Sequence, residues 1–440
     1  MFEHHFIVRG KDVGSHARSY LSGLMGTQRR KNIERIESDV ADSNYQGMQQ
    51  FLSDSPWSHE ALMRQVADEA EAVLGRHSDT ALYLDESSFV KKGNASVGVK
   101  RQYCGRVGKL ENCQVGVFLW LGAGTKVAAV DFRLFLPEEW AQDTARCAKA
   151  KVPEAHRRHL TKTELALEMV KQAKARGSTH RWIGGDEVYG NNHAFTNALE
   201  DLGDVFLMDV ARTMRVWTED PAPAVPVATG PKGRGRKAQK PRAQTPGAAL
   251  TVAALTEARF EAQARSIEIR DSTKGRLHAR VWATRVWQWD GESVCARSRW
   301  LIVRQDADGA FKYSLSNCDA QTTWERMAYM QAQRYWIERG FQDAKSELGM
   351  AQYEVRGWTG WHHHQALVSL AQLFLLKQRV LLSAELPLLS ARDMVELLAF
   401  YLPRRPRTET EVIRQLQQRH AARQSDIDRR KSSPISVLNK

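Results

Sequence analysis

The sequence predicts an α/β protein with a β-rich insertion and with helical regions at its N-terminal and C-terminal ends. Three observations support this fold class. From residue 15 to residue 80 apolar positions recur three or four apart, which is the period of a helix. From Ala81 to Met208 β-rich segments and helical segments follow one another. A second β-rich group at 277–315 precedes renewed helical periodicity from Gln321 onward.

The predicted elements between residues 81 and 208 have a definite order. Three β-rich segments come first, followed by a helix, a strand, a second helix and a last strand. In that order they are Ala81–Leu84, Cys113–Leu121, Lys126–Leu136, Thr161–Arg176, His180–Gly185, Asn192–Leu202 and Val205–Met208. This is the order of an RNase H-like domain, whose mixed sheet carries acidic residues at strand ends.

The remaining segments are distinguished by composition and period. Six of the 13 prolines fall between Pro221 and Pro246 among lysines and arginines, so the sequence predicts a linker or mobile loop at 217–250. Strands around the turn Asp308-Gly309 predict a small inserted sheet. The helices predicted after this sheet are Gln321–Leu348, Trp361–Leu382 and Thr408–Arg423.

Charge and cysteine content narrow the class of protein. The chain has 64 basic and 51 acidic residues and a formal charge of +13, which favours a polyanionic partner. Its five cysteines include no CxxC pair, so neither a disulfide framework nor a zinc site is indicated. No secretory signal is expected at the N-terminus. Polar residues interrupt the most apolar stretch, Leu367–Leu382, which excludes a membrane span there.

Three acidic residues from distant segments are candidate metal ligands. Asp85 and Asp186 each follow an apolar strand, and Glu338 lies on a predicted helix. Phosphodiester cleavage needs negative charge stabilised on two oxygens, which two divalent ions about 3.5 to 4 Å apart achieve. Mg²⁺ binds through a few carboxylates, waters and substrate phosphates. Spacing alone leaves other triplets open, because the chain has 51 acidic residues.

The predicted helix around Glu338 places cations beside this carboxylate. Arg334, Glu338 and Lys345 stand at i, i+4 and i+11 and therefore share one face. Such a face could hold a metal while its cations bind phosphates. The same pattern is also typical of a salt-bridged surface helix, and the pattern by itself favours that interpretation.

Two further groups of residues have competing interpretations. Arg29, Arg30 and Lys31 belong to a basic helical stretch that is either a solvated face or a surface contacting DNA phosphates. The histidines at 362–364 are adjacent on a helix and point in different directions, so we do not expect a shared metal ion. The remaining acidic alternatives are expected to face away from the candidate site; these are Glu86, Asp343 and Glu347.

Five ordered motifs carry a resemblance to a known family. They are Leu84–Gly93 continuing to Gly105, Leu136–Trp140 with Asp143, Gly185–Gly190, Arg334–Glu338 with Phe341 and Lys345, and Tyr353–Trp358. Together they resemble bacterial insertion-sequence DDE transposases of the insertion sequence seven-hundred-and-one branch, a relative of the IS-four group. The resemblance covers roughly residues 15 to 425.

The resemblance implies a chemistry and a set of partners. It implies that Asp85, Asp186 and Glu338 are both the catalytic residues and the ligands of two Mg²⁺ ions, for which Mn²⁺ can substitute. It implies binding of terminal inverted repeats and target DNA as double-stranded DNA, and cut-and-paste transposition through 3′-hydroxyl attack. Arg334 and Lys345 match the DNA-contacting positions of a Tyr-Arg-Glu-Lys signature in the IS-four group, whereas the tyrosine position is Gln331 here.

The expected organisation follows from these interpretations. Its segments are a helical DNA-binding region at 1–78, the first part of the catalytic domain at 79–216, the linker at 217–250, the β-rich insertion at 251–320, the glutamate helix and the next helix at 321–385, and a helical basic region at 386–440. We expect a cytoplasmic, nucleoid-associated protein that forms a homodimer in its synaptic complex and does not bind membranes. An RNase H-like DNA nuclease without strand transfer, and an inactive DNA-binding derivative, remain alternatives.

Overall fold

The computed structural model describes residues 1–226, 239–245, 247–272, 275–406 and 408–432. In this part of the chain the strands β1 to β14 are Ile7–Val8, Lys11–Asp12, Ala81–Val90, Lys100–Cys104, Lys109–Ala123, Lys126–Leu134, Trp182–Gly185, Phe206–Asp209, Arg215–Val216, Leu250–Thr251, Arg265–Ser272, Gly275–Gln288, Arg297–Gln305 and Phe311–Ser316. The helices α1 to α15 are Gly14–Leu24, Ile33–Asp39, Tyr45–Ser53, His59–Leu74, Glu138–Gln142, Thr144–Lys149, Lys162–Ala175, Glu187–Gly190, His193–Asp201, Val252–Gln263, Trp324–Gln333, Tyr335–Ser346, Trp358–Leu381, Ala391–Leu398 and Glu409–Ser432.

A large mixed sheet organises the fold and confirms the predicted α/β class. Its strand order is β11-β12-β13-β14-β8-β7-β3-β5-β4, and β6 pairs with β5. Of the first three long strands, β5 lies in the middle and is antiparallel to both of its neighbours, β3 and β6. On its other side β3 pairs in parallel with β7, which pairs in parallel with β8. The carboxyl ends of β3, β7 and β8 therefore point the same way.

Strand β3 is longer than the sequence indicates. Asp85 does not end it, because the strand continues to Val90 and pairs with β5 along its whole length. Ser87 and Ser88, which lie beyond the predicted strand Ala81–Leu84, are buried within this pairing. The prediction that Asp85 closes its strand is therefore wrong, since pairing with β5 outweighs the polar composition.

Strand β7 is short and ends where the sequence predicts. All four of its residues are buried, and Asp186 follows directly as the N-cap of α8. The last pair in the parallel register joins Leu84 of β3 to Gly185 of β7. The next residues along the two strands are Asp85 and Asp186, so the two carboxylates lie at the same level of the sheet.

The inserted strands extend this sheet and do not form a separate one. Strand β14 is antiparallel to β8, with Leu315 opposite Met208, and β13, β12 and β11 follow outward. The small inserted sheet that the sequence predicted is part of the large sheet in the structure. The insertion also contains α10, which the sequence analysis missed and whose apolar residues Leu255 and Phe260 pack in a second core with Trp282.

The N-terminal helices share the main core with the sheet. One hydrophobic cluster joins buried residues from Phe6 through the strands to Val395. Helix α13 lies at its centre, because it packs against α4, α3 and β6 and is buried along most of its length. Packing of this kind fixes the N-terminal helices against the large sheet.

One predicted helix is divided in the structure, and one predicted cluster of basic residues cannot be compared with it. The helix expected at Gln321–Leu348 is divided into α11 and α12 at Arg334, which ends one helix and begins the next. The basic cluster predicted within the linker, including Lys232 and Arg236, lies outside the described residues.

Candidate active site

The structure brings Asp85 and Asp186 to one edge of the sheet. Asp85 accepts a hydrogen bond from the backbone N–H of Glu86 at 2.7 Å. Asp186 accepts one from the N–H of Val188 at 2.9 Å, as expected of an N-cap residue. Each carboxylate is thus held in a defined orientation by the backbone.

Burial and mutual repulsion disfavour ionisation of this pair. Burial raises the pKa of Asp85 to about 7, and the negative charge of Asp186 adds to the effect. Burial also raises the pKa of Asp186 to about 6, with the charge of Glu86 as the next cause. A site that concentrates negative charge in this way favours the binding of a cation.

Arg334 supplies positive charge to the site from the junction of α11 and α12. Its guanidinium lies 2.9 Å from Glu338 Oε1, 3.0 Å from Asp209 Oδ2 and 3.7 Å from Asp85 Oδ2. Burial by itself lowers the pKa of Arg334, but the surrounding carboxylates outweigh burial and raise it above its ordinary value. Arg334 thereby joins the helix carrying Glu338 to the strands carrying the aspartates.

Asp209 is the carboxylate that the sequence analysis missed. It ends β8, the next parallel strand after β7, and its Oδ1 accepts a hydrogen bond from Ser314 Oγ of β14 at 2.7 Å. Gln331 Nε2 in turn donates to Ser314 Oγ at 2.8 Å. The only signal in the sequence was an acidic residue at the end of the predicted strand Val205–Met208.

The side chain of Gln331 is part of the hydrogen-bond network of Asp209 and Ser314. It is buried, and its amide reaches Ser314 and not the open side of the site. The position that carries tyrosine in the IS-four signature is therefore occupied here by a residue that ties α11 to the inserted strand.

The donor set fits a hard divalent cation in chemistry, since carboxylate oxygens are the ligands such ions prefer. Asp85 and Asp186 converge, whereas Glu338 is half exposed and bound to Arg334. Within the described ranges no three His, Cys, Asp or Glu side chains are arranged to hold a metal ion. The pair fits a metal ion, and Glu338 is held beside the pair through Arg334.

Two other cations flank the carboxylates. Lys345 is half-buried near the site; burial lowers its pKa, while the charge of Asp85 acts in the opposite direction. Lys162, at the start of α7, forms an ion pair with Glu86. Glu86 is thus engaged by a lysine. Its charge also acts on Asp186, so Glu86 lies near the carboxylates and does not face away from them as the sequence analysis expected.

The basic residues at 29–31 occupy different environments. They lie in the loop between α1 and α2, and not on the predicted helix. Arg29 and Arg30 are exposed. Lys31 is buried, and its ammonium donates to the backbone carbonyls of three residues; these are Leu24, Gly26 and Glu347. A phosphate contact by Lys31 would require these hydrogen bonds to break.

The histidine triplet of α13 is part of the core. All three rings are buried, and each has a hydrogen-bonding partner. His363 reaches the carbonyls of Leu52 and Trp57, while His364 bonds Tyr20 and Met350. These contacts hold α13 against the N-terminal helices.

The sequence matches a known family over more than half of its length. Residues 9–276 match the family described as DDE superfamily endonuclease. The chain belongs to this family. The matched range contains Asp85 and Asp186, and Glu338 lies beyond it.

A curated relative supports the same family. The chain is 28% identical over 181 residues to a probable transposase for insertion sequence element IS701 from Microchaete diplosiphon. The match covers 41% of this chain and 44% of the relative, so it spans less than half of that protein. The resemblance to this branch of DDE transposases, first indicated by the motifs, is confirmed.

Comparison with solved structures adds a distant likeness. The NurA nuclease from Sulfolobus solfataricus aligns over 72% of this chain and 92% of its own, with 10% identity and a TM-score of 0.27. A TM-score this low supports no conclusion about the fold or the function of this chain. In the described residues, no helix has both the length and the apolar character needed to cross a membrane.

Proposed function

We propose that this chain is a DNA transposase that binds the terminal inverted repeats of an insertion sequence and catalyses metal-dependent cleavage and strand transfer. The observation that carries the proposal is that Asp85 and Asp186 directly follow Leu84 and Gly185, the last paired residues of the parallel strands β3 and β7. Burial and like charge raise the pKa of both carboxyl groups, which suits a cation-binding centre.

The sheet supports an RNase H-like catalytic domain. The sheet includes the strands β3, β5, β6, β7 and β8. If these five are numbered 1 to 5 in chain order, their spatial order is 3-2-1-4-5, and strands 4 and 5 are parallel to strand 1. The proposed carboxylates come from the first and fourth of these strands and from the helix after the insertion. Such convergence from distant segments is what two-metal phosphoryl transfer requires.

Each proposed residue has a distinct task. Asp85 and Asp186 would hold divalent cations, Mg²⁺ with Mn²⁺ as a substitute, and Glu338 would complete the set. Bound cations would stabilise negative charge on the attacking and leaving oxygens of the phosphodiester. Arg334 keeps Glu338 oriented toward the aspartates, and Lys345 offers a positive charge to a nearby DNA phosphate.

The proposed partners follow from this function. They are double-stranded DNA at the terminal repeats and at the target site, and a second copy of the chain in the synaptic complex. The net charge of +13 supports a DNA partner. Arg29 and Arg30 are proposed as phosphate contacts because both are exposed. We place the protein in the cytoplasm, associated with the nucleoid when bound to DNA.

A strand-transfer assay tests the proposal. The full-length chain is incubated with Mg²⁺, a target plasmid and a duplex ending in the terminal repeat that flanks the gene. We expect both cleaved and joined products. Single changes to alanine at Asp85, Asp186 or Glu338 should abolish both products and leave duplex binding intact.

The alternatives predict different products. Cleavage without joining would identify a nuclease, and binding without either reaction would identify an inactive DNA-binding derivative. Full activity in one of the three alanine variants would remove that residue from the proposed catalytic set.

A further inference from the structure

The hairpin of β4 and β5 extends beyond the body of the sheet. Strand β4 pairs with the first part of β5, from Lys100 opposite Cys113 to Cys104 opposite Lys109. Strands β3 and β6 pair only with the later part of β5, beginning at Cys113 and Gly116. In the described part of the chain, no further strand pairs with the distal hairpin, which is therefore a two-stranded ribbon.

The ribbon carries exposed apolar side chains. Tyr103 and Leu110 face each other across the two strands and are 62% and 60% exposed, and Val107 in the turn is 43% exposed. Because cross-strand partners lie on the same face, Tyr103 and Leu110 form one exposed apolar surface. Exposed apolar groups clustered in this way commonly mark an interaction site.

The ribbon is also basic. Between residues 100 and 112 there are four basic residues and one acidic residue. Lys100 pairs with Glu139, and Lys109 lies 3.9 Å from Glu111. Arg101 and the turn residue Arg106 are exposed, and neither forms an ion pair with any described residue. Free guanidinium groups beside apolar side chains fit a nucleic-acid partner better than a purely apolar one.

The ribbon continues past the carboxyl end of β3, the strand that contains Asp85, because Val90 at that end pairs with Cys113, where the pairing of β4 with β5 begins. Lys345 is influenced by the charges of both Arg106 and Asp85, so it connects the ribbon with the carboxylates. A duplex that presents a phosphate to Asp85 would continue past Lys345 to the ribbon. A β-ribbon of this width can enter a groove of double-stranded DNA.

We propose that the hairpin of residues 100–112 is a DNA-binding arm that grips the substrate duplex next to the cleavage site. Arg101 and Arg106 contact backbone phosphates, and Tyr103 and Leu110 contact the groove. This inference rests on the proposed function for the identity of the substrate, but it concerns a surface separate from the three carboxylates.

Fluorescence anisotropy of a labelled duplex of arbitrary sequence tests the arm in the full-length protein. The double variant R101S/R106S should bind more weakly, and the slope of log affinity against log salt should fall by about 2, since each phosphate contact contributes about 0.9. The variant Y103S/L110S should also bind more weakly, with an unchanged slope because no charge is removed.

The matched control is R76S/R181S, which removes two exposed arginines. They precede β3 and β7 and lie at the strand ends opposite the carboxylates. This control should retain wild-type affinity and slope. Circular dichroism of every variant verifies that the fold is intact.

If both hairpin variants bound DNA with the affinity and the salt slope of the wild type, the proposal of a DNA-binding arm would be overturned. The proposal would also be overturned if the hairpin variants lost self-association, measured by sedimentation velocity, while their DNA binding was unchanged. That result would assign the surface to contact with a second copy of the chain. In either case wild-type cleavage would persist and the proposed function would stand. A wild-type chain that neither binds nor cleaves the duplex would overturn both proposals.

Discussion

The guanidinium Nε of Arg334 lies 3.0 Å from Asp209 Oδ2, and the two residues are 125 positions apart in the chain. This contact joins the end of β8 to the junction of α11 and α12. The same guanidinium reaches Glu338 on α12 and Asp85 on β3. Asp209 therefore acts on the candidate site through Arg334, as a positioning residue.

Replacing Asp209 with asparagine should slow DNA cleavage about 10- to 100-fold. A hydrogen bond to a charged group contributes about 1.5 to 3 kcal/mol, and about 1.4 kcal/mol corresponds to a factor of ten in rate. The effect should appear in kcat, because the change releases Arg334 and thereby misplaces Glu338, while the exposed candidate DNA contacts Arg29 and Arg30 are untouched. Steady-state kinetics at fixed Mg²⁺ measures it.

The control for this prediction is Asp308→Asn, which makes the same change in charge at an exposed turn of the insertion. It should leave kcat unchanged. Partial recovery in Asp209→Glu would support positioning through the carboxylate, whereas equal rates in D209N and wild type would remove Asp209 from the site.

The contribution of Asp85 to the stability of the metal-free protein should fall as pH rises. In the folded state the pKa of Asp85 is raised from 3.8 to about 7, mainly by burial. A carboxyl group with a raised pKa contributes stability that is fully present below its unfolded pKa and is lost as pH rises through its folded pKa. The melting temperature of the wild type in EDTA should therefore decrease relative to that of Asp85→Asn between about pH 4 and about pH 7. The buried histidines, whose lowered pKa values act in the opposite direction, are common to both proteins.

Two comparisons test this pH dependence. Asp85→Asn should lose the Asp85 part of the pH dependence and keep the part due to Asp186, whose pKa is also raised. Mg²⁺ should raise the melting temperature of the wild type most at the upper end of the range. A D85N profile as steep as that of the wild type would show that other groups cause the slope.

Lys31 and its neighbours should respond differently to substitution. Lys31→Met should lower the free energy of unfolding by about 2 to 4 kcal/mol, since it leaves buried carbonyls without a donor. R29S/R30S should leave stability unchanged and weaken duplex binding, with a salt slope lower by about 2. Urea unfolding and anisotropy titrations measure the two effects. The reverse pattern would contradict the assignment of Lys31 to the core.

Lys345→Ala should weaken binding of DNA ends. Lys345 is half-buried beside Asp85 and forms no ion pair with a described residue, so its charge is available to a phosphate. The salt slope for a terminal-repeat duplex should fall by about 1. K345R, which keeps the charge, serves as the control and should retain most of the slope.

Gly190→Ala should damage both stability and activity. A Cβ at this position would lie 2.0 Å from the carbonyl oxygen of Asp209, so the backbone of β8 would have to move. Because Asp209 orients Arg334, the displacement should reduce kcat as well as the melting temperature. Gly203→Ala tests specificity: its added Cβ meets no neighbour, although its positive φ introduces local strain. G203A should therefore affect stability only.

Local sequence patterns were sufficient to predict the secondary structure at part of the candidate site. Asp186 follows a short apolar strand, and Glu338 lies on an amphipathic helix, so each was placed correctly by neighbouring residues. Asp85 was recognised as a candidate but not as a residue within a strand. Its polar neighbours are held in β3 by pairing with β5, which begins 24 residues further on and leaves no local signal.

Other features depend on contacts between distant segments. Asp209 looked like an ordinary acidic residue after a strand until Arg334 and Ser314 were brought to it by the fold. Lys31 belongs to a basic run in the sequence, and only the packing of Glu347 against it reveals a buried ammonium. Such separations exceed what periodicity or composition can detect.

The pairing of β14 with β8 makes the insertion inseparable from the strand that carries Asp209. Removing residues 251–320 would leave β8 as an open edge whose unpaired backbone groups invite association between molecules. It would also remove Ser314, the donor to Asp209. A chain shortened in this way is expected to aggregate, so changes to the inserted strands are better made one side chain at a time.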